Sequence, residues 1–264
     1  QGIATPGDIL ARIIVRRGLH LVTYNAYQSI VRGGHIFLTM RISDAEVQNH
    51  GDKLDLLMCL NQDTMDRHQR LMGPGTRIVY NSDTISPGTE DKGADLCGLP
   101  VAELTQSRNR LVQNTVAMGA VAFLLGIDFS VLEESLTLRF QRRGQEMVDE
   151  NVKVARAGYD YAVEHFRPFE QSPPDGGKPL AVWSGNEALA MGGAAAGVKF
   201  YAAYPMSPAT GVLHWMANNA RNLGIMVRQV EDEIGVANMV VGAAQAGTRS
   251  LCATSGGGFA LMTE

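Results

Sequence analysis

The sequence predicts an α/β protein in two parts: a domain with a mainly parallel sheet and helices, then the start of a second α/β domain. Three observations carry that prediction. Short apolar runs of strand length alternate with stretches of helical period along most of the chain. The run LDLLMCL at 54–60 is apolar at nearly every position, as strands covered on both faces are. The alternation stops at a polar, proline-rich stretch and then begins again.

Taken in order, residues 6–17 read as a helix, with Pro6 in the first turn, where no N–H is needed, and Gly18 as its stop. HLVTY at 20–24, HIFLTMRI at 35–42 and LDLLMCL at 54–60 read as strands, followed by a helix around 62–72 and a strand RIVYN at 77–81. A helical half comes next, at 106–126, 131–141 and 145–166. In the last of these Val148, Val152, Ala155, Tyr159, Ala162 and Phe166 recur at helical spacing. The stretch RPFEQSPPDGGKP at 167–179 holds four of the ten prolines and almost nothing apolar, so it reads as a linker. Beyond it LAVWSG at 180–185, VKFYAAYP at 198–205, IMVRQV at 225–230 and SLCATS at 250–255 read as strands. Helices at 186–197, 210–223 and 232–246 separate them, the first rich in alanine and glycine for tight packing on a sheet. The domain limits that follow are 1–166, a linker 167–179, and 180–264.

Composition narrows the function classes. Hydrophobic residues fill 45% of the 264 positions and charged residues 19%, a balance that excludes a disordered chain. A net charge of −4 leaves no basic footprint for nucleic acid. No run approaches the ~18 consecutive apolar residues of a membrane span. Cys59, Cys97 and Cys252 are odd in number and far apart, so no disulfide framework, zinc site or iron–sulfur site is expected in this chain. A reducing cytoplasmic setting fits that usage. The six histidines form no HExxH or HxxxH pair and read as surface or packed residues. The start at Gln1, without a signal-peptide pattern, and the stop at Glu264 after an apolar run read as a piece of a longer protein. Glycine is in excess, 29 of 264 residues, where ~7% is typical; turns and close backbone approaches to ligands use it that way.

Five places could hold chemistry. Gln1-Gly2 before a helix could be the tail of a glycine-rich turn presenting N–H groups to a phosphate, or a plain N-terminal turn. Arg32 beside Gly33-Gly34 could contact an anion, or be the solvated arginine of a hairpin turn. In YPMSPAT two prolines bracket Ser207 at the C-terminal end of a strand, where open α/β sheets bind ligands; an ordinary turn with Thr210 as helix cap is the alternative. Glu231, Asp232 and Glu233 open an apolar helix whose composition signals burial. They read either as three solvated, dipole-compensating carboxylates or as a row with one acid drawn inside, where it needs a partner such as a cofactor nitrogen. TSGGGFALMTE at 254–264 places Thr254, Ser255 and Gly256 in a further strand-end loop.

Together these blocks resemble the α subunits of 2-oxoacid:ferredoxin oxidoreductases, in the form with a γ domain fused in front of the α domain. Gln1-Gly2-Ile3 is similar to the end of the family's GxGGQG loop, and YNAYQSIVRGG at 24–34 to its EYPSxxRGG segment. MRIS at 40–43 and KLDLLMCLNQ at 53–62 resemble its VRIS and DLLVALDQ strands. After the linker, SGNEALAMGGAAAG resembles GNEAxAxGAxxAG, and YPMSPAT resembles YPITPST. VEDEIGVANMVVGAAQAG is similar to the EDEIAAxxxAxGAxxAG helix, and TSGGGFALMTE to the TSGPGFSLMTE loop. The blocks are ordered and span nearly the whole chain.

The resemblance implies a γ domain followed by the start of a thiamine-diphosphate-binding, pyrimidine-type α/β domain. It implies oxidative decarboxylation of a 2-oxoacid, 2-oxoglutarate in the fused form, with CoA, giving acyl-CoA, CO2 and reduced ferredoxin. Thiamine diphosphate would be shared with a β subunit, which supplies Mg2+ and the iron–sulfur cluster, so this chain would be active only with that partner. Glu233 matches the glutamate that hydrogen-bonds the aminopyrimidine and favours the imino tautomer that deprotonates the thiazolium carbon. Ser207 matches the threonine placed to hydrogen-bond the substrate, Ser255 and Gly256 fall in the cofactor-side loop, and Gln1, Gly2 and Arg32 on the CoA side. Departures are Ser207 for threonine, Met206 for isoleucine and Gly257 for proline. Pyruvate, branched-chain and aryl 2-oxoacids are alternative substrates, and a non-catalytic binding or scaffold homologue is the alternative class.

Overall fold

The computed structural model describes residues 3–26, 34–88, 93–105, 110–170 and 177–264, with 110–112 described by their backbone. Gln1, Gly2 and Arg32, the expected CoA-side residues, lie outside the described residues, as does 171–176 of the expected linker. The chain divides into two compact units, Gln1–Val182 and Trp183–Glu264. The class is the mixed α/β one that the alternation of elements predicts.

In the first unit, α1 (Ala4–Arg16) buries Ile9, Ile13 and Ile14 along one side. It stops at Gly18, whose φ of +78° suits glycine and whose missing Cβ would lie 2.6 Å from the Gly177 carbonyl. Strands β1 (His20–Ala26) and β2 (Phe37–Ser43) pair antiparallel, from His20 opposite Ser43 to Ala26 opposite Phe37. A separate parallel sheet contains β3 (Leu56–Cys59), β4 (Arg77–Asn81) and β5 (Asp95–Leu99), with β4 in the middle. Ile78 and Val79 of β4 are fully buried. Strand β3 is less covered than its composition suggests: Leu57 and Cys59 are buried, Leu56 and Met58 only half so. Strand β5 escapes sequence reading because Asp95 and Gly98 break its apolar pattern.

Helix α2 (Gln62–His68) follows β3 and is capped by Asn61, which accepts from the Thr64 N–H at 2.8 Å. A 3-10 turn, Gln69–Leu71, completes the stretch read as one helix over 62–72. The helical half comprises α3 (Val101–Thr105), α4 (Arg110–Leu124), α5 (Phe129–Phe140) and α6 (Gln145–His165). Helices α4 and α6 cross in backbone contact: a methyl at Gly119 would overlap the Ala155 carbonyl, and one at Gly158 the Val116 carbonyl. Around that crossing Met118, Val121, Ala122, Val154 and Ala155 close the core.

Two histidines that seem scattered in the sequence meet here. His35 Nε2 lies 3.0 Å from His68 Nε2, and His35 Nδ1 lies 2.9 Å from an Asp63 carboxylate oxygen. Burial, reinforced by the neighbouring His35 and Arg67, pulls the His68 pKa below the ordinary histidine range. The chain from Asp63 to His68 therefore rests with a neutral imidazole at its inner end.

The second unit begins with α7 (Gly185–Ala195) rather than a strand. Residues 181–184 join no ladder; Ser184 and Glu187 form a capping box, and the Leu180 N–H goes to the Val15 carbonyl. The S-x-x-E signature outweighs the apolar run before it. Strands β6 (Phe200–Ala203), β7 (Met226–Gln229) and β8 (Ser250–Leu251) make a parallel sheet in the order β7-β6-β8. Helix α8 (Thr210–Leu223) packs on β6 and β7, and α9 (Glu233–Gln245) on β6 and β8. Short α10 (Gly256–Met262) rests against α9.

Helix α9 corrects an expectation. Its apolar composition predicts burial all round, yet only Glu233 and Val236 are buried, while Met239 is 46% and Val241 58% exposed. One side packs on the sheet; the other is open in this chain. Among the described residues, no helix is long and apolar enough to cross a membrane.

Candidate functional site

The site forms at the carboxyl edge of the second sheet. Strands β6, β7 and β8 end at Ala203, Gln229 and Leu251, and Ser207, Glu233 and Ser255 each stand four residues further on. Because the strands are parallel, all three loops leave from the same edge. The sheet order reverses direction about β6, which makes this edge a topological switch point, where such sheets bind ligands.

Of the three consecutive acids, Glu233 is the one drawn inside, at 3% exposure. Asp232 caps α9 instead, accepting from the Gly235 N–H at 2.6 Å, and Glu231 is exposed. That division leaves Glu233 as the first residue of α9, with its carboxylate close to the positive end of the helix. Its Oε1 is buried and has no hydrogen-bond partner among the described residues. A buried carboxylate oxygen without a donor is unfavourable by several kcal/mol, so a site that retains one is shaped for a group that supplies the hydrogen bond.

The loop after β8 comes to the same place. Thr254 Oγ1 is likewise buried without a partner. A methyl at Gly258 would overlap Thr254 Oγ1 and sit 2.7 Å from Glu233 Oε1, so both polar atoms face the ground left bare by that glycine. Ser255 is the N-cap of α10 without a side-chain capping bond, and Gly256 begins the helix, exposed. Thr254 and Gly258 thus adjoin Glu233 more closely than sequence reading ranks them. The signal for Thr254 was its place before three glycines.

Ser207 lies apart from this pair. It is exposed, and among the described residues it makes no hydrogen bond to Glu233 or Thr254. The Ser207-Pro208 peptide bond is cis, and the Pro208 carbonyl accepts from Asn186 at 2.7 Å, so α7 steadies the loop. Thr210 is not the cap considered for it: Ala209 holds the N-cap position and Thr210 is the first helical residue. An open cavity of about 450 Å³ beside this loop is lined by Pro205, Thr210, Leu213, His214, Val227 and Gln229. Neither Glu233 nor Ser207 lines it.

The arrangement sets a buried carboxylate and a buried hydroxyl side by side at this edge, with the Ser207 hydroxyl exposed on another loop of the same edge. The donor set fits a nitrogen heterocycle better than a metal. Among the described residues no three His, Cys, Asp or Glu side chains cluster as metal ligands would.

Comparison with known proteins gives the same edge a context. Residues 1–161 match the family model described as pyruvate ferredoxin/flavodoxin oxidoreductase. Residues 191–264 match that of pyruvate flavodoxin/ferredoxin oxidoreductase, thiamine diphosphate-binding. The α subunit of 2-oxoacid:ferredoxin oxidoreductase 2 from Aeropyrum pernix is 25% identical, over 100% of this chain and 50% of its own length. The 2-oxoglutarate synthase subunit KorA of Methanocaldococcus jannaschii is 44% identical over 80 residues, 30% of this chain and 22% of that one. The solved structure of 2-oxoglutarate:ferredoxin oxidoreductase from Magnetococcus marinus, with 2-oxoglutarate, coenzyme A and succinyl-CoA bound, superposes with a TM-score of 0.87 at 29% identity. It covers 100% of this chain and 47% of that one. The chain spans about half the length of the curated relatives it matches along its whole course. A family model that covers 161 residues from the first, with a second over the unit that bears Glu233, settles the relationship: the chain belongs to the pyruvate ferredoxin/flavodoxin oxidoreductase family.

Proposed function

We propose that the chain is the γ domain and the first part of the α domain of a 2-oxoacid:ferredoxin oxidoreductase that uses thiamine diphosphate. Its domains are 1–166 on the CoA side, a linker 167–179, and a pyrimidine-binding part at 180–264. The reaction is the oxidative decarboxylation of a 2-oxoacid, 2-oxoglutarate before pyruvate, with CoA, giving acyl-CoA, CO2 and reduced ferredoxin. A β subunit completes the site with Mg2+ and the iron–sulfur cluster. The observation that carries this reading is the buried, unpartnered Glu233 oxygen at the sheet edge.

Bound thiamine diphosphate supplies a carbon nucleophile and a sink for the electrons left when CO2 departs. The protein's part starts at Glu233. Its Oε1 accepts a hydrogen bond from a ring N–H or holds that proton, and the surrounding apolar residues keep water from competing. Gly258, which has no Cβ, lets Thr254 and the Glu233 carboxylate pack closely together. Ser207 offers a hydroxyl to the oxygens of the 2-oxoacid from a loop held by Asn186. The names of the relatives support the order of substrates: KorA proteins are 2-oxoglutarate enzymes, and the superposable structure holds 2-oxoglutarate and coenzyme A.

The test is ferredoxin reduction by the full α subunit with its β subunit, with CoA, over a panel of 2-oxoacids. The expected result is thiamine diphosphate bound in the assembly and turnover highest with 2-oxoglutarate. An assembly that binds no thiamine diphosphate overturns the reading; equal turnover of pyruvate overturns the substrate order alone.

A further inference from the structure

We propose that the buried His35–His68 pair is an acid-sensitive latch in the first unit: with one hydrogen between its rings it ties the start of β2 to α2, and with two it lets go. The inference stands apart from the thiamine-diphosphate reading. Among the described residues the β1–β2 ribbon joins no other strand, so side chains hold it to the rest of the unit. His35, two residues before β2, is one such point. Its Nδ1 lies 2.9 Å from an Asp63 carboxylate oxygen and its Nε2 lies 3.0 Å from His68 Nε2, both partners on α2. Both imidazoles are buried, and the Phe37 ring of β2 packs against both of them, edge-on to His68.

The hydrogen count decides what this contact can do. An ionised carboxylate only accepts, so His35 Nδ1 carries a proton toward Asp63. With both rings neutral, His35 Nε2 is bare and accepts from the His68 Nε2–H. One added proton leaves the bridge in place: His35 becomes the donor, beside the Asp63 carboxylate, and His68 accepts through its other tautomer. A second added proton puts an N–H on both facing nitrogens, and two imidazolium charges 3.0 Å apart in a buried site repel. Among the described residues no third ligand completes a metal site there, so a hydrogen and not a cation bridges the pair. The charged groups that face the pair among those residues are Asp63 and Arg67, both on α2 and ion-paired at 2.7 Å. Burial first, then His35 and Arg67, hold the His68 pKa down, and Asp63 opposes them only in part. The closed latch therefore resists a proton that the open one takes. Its strength is full above the ordinary histidine pKa of ~6.5 and is lost as the pH falls through and below that value.

Hydrogen–deuterium exchange of the full-length protein at pH 7.5 and 5.5, read peptide by peptide and corrected for the intrinsic effect of pH on exchange, tests the latch. A histidine that charges only in the open state weakens closure by up to about tenfold one pH unit below ~6.5. Protection over 35–43 and 62–68 should fall several-fold toward that limit, while α6 keeps its protection. His68→Gln puts an amide nitrogen where the imidazole Nε2 stands, donates or accepts by turning, and takes no charge. In that variant the two segments should be equally protected at both pH values. Unchanged protection of the wild type at pH 5.5 overturns the proposal. So does a glutamine variant that loosens as the wild type does, or a fall shared evenly with α6, the mark of general loosening in acid. Should the variant not fold, the wild-type comparison of 35–43 and 62–68 with α6 decides alone.

Discussion

At the scale of the residue, the decisive distinction lies within one tripeptide. Glu231, Asp232 and Glu233 are three acids in a row, and nothing in their order says which goes inside. The backbone decides: extended geometry at Asp232 turns its carboxylate onto the Gly235 N–H, and the first helical turn then carries Glu233 inward. Glu233→Gln removes the group proposed to handle the proton while keeping its shape. In the cofactor-loaded assembly, hydrogen–deuterium exchange at the thiazolium carbon should slow by about 10²–10⁴-fold, the usual worth of a placed acid–base group. The unloaded melting temperature should not fall, because a neutral amide is easier to bury than a lone carboxylate. Exchange at the wild-type rate would remove Glu233 from its role. That one acid is drawn inside was one of two readings the sequence left open; which acid follows from the Asp232 cap, and that Thr254 stands beside it follows from how the β8 loop meets α9.

At the scale of the element, small residues set the packing distances, and their neighbours decide what each is worth. Gly158 faces the Val116 carbonyl across the α4–α6 crossing, so Gly158→Ala forces two backbones apart. A loss of about 1–3 kcal/mol is expected, seen as a lower urea midpoint. Gly192 and Gly193 look equivalent in the sequence, where both read as tight helix packing. In the structure only Gly193 is confined, with the Leu251 side chain 2.9 Å from its missing Cβ, and Gly192 has nothing within 4 Å. Gly192→Ala should therefore stabilise, by about 0.5–1 kcal/mol, through helix propensity alone. The same effect at both sites, or a loss at Gly192, would refute the packing argument. Helix α8, at Thr210–Leu223, has the limits its periodicity predicts. The stretch 180–185 does not form its predicted strand, because the Ser184–Glu187 capping box commits the chain to a helix first.

At the scale of the whole molecule, the three cysteines differ in how far the fold shields them. Burial pushes the Cys59 and Cys97 thiols up to about 11. At pH 8 such thiols are only about 0.1% thiolate, the reactive form. Cys252 is also raised by burial but is partly exposed. Iodoacetamide should therefore label the folded chain at Cys252 well before Cys59 and Cys97, with all three reacting together in urea. Equal rates in the folded state would contradict the burial. Cys59 and Cys97, held protonated in separate cores, are packing groups. The apolar side of α9 leaves Met239 and Val241 exposed in this chain.

The sequence by itself determined the α/β class, the order of most elements though not β5 or the start of the second unit, the strand-end placement of Ser207, Glu233 and Ser255, and the family. Those properties are local or additive, set by period, turn residues and ordered motifs. Only the tertiary structure decided which acid is buried, that Thr254 and Gly258 join it, that His35 and His68 pair, and that α4 and α6 meet at two glycines. Each of these depends on residues brought together by packing across the chain, and the spacing of letters carries no record of the distances at which backbones finally stop.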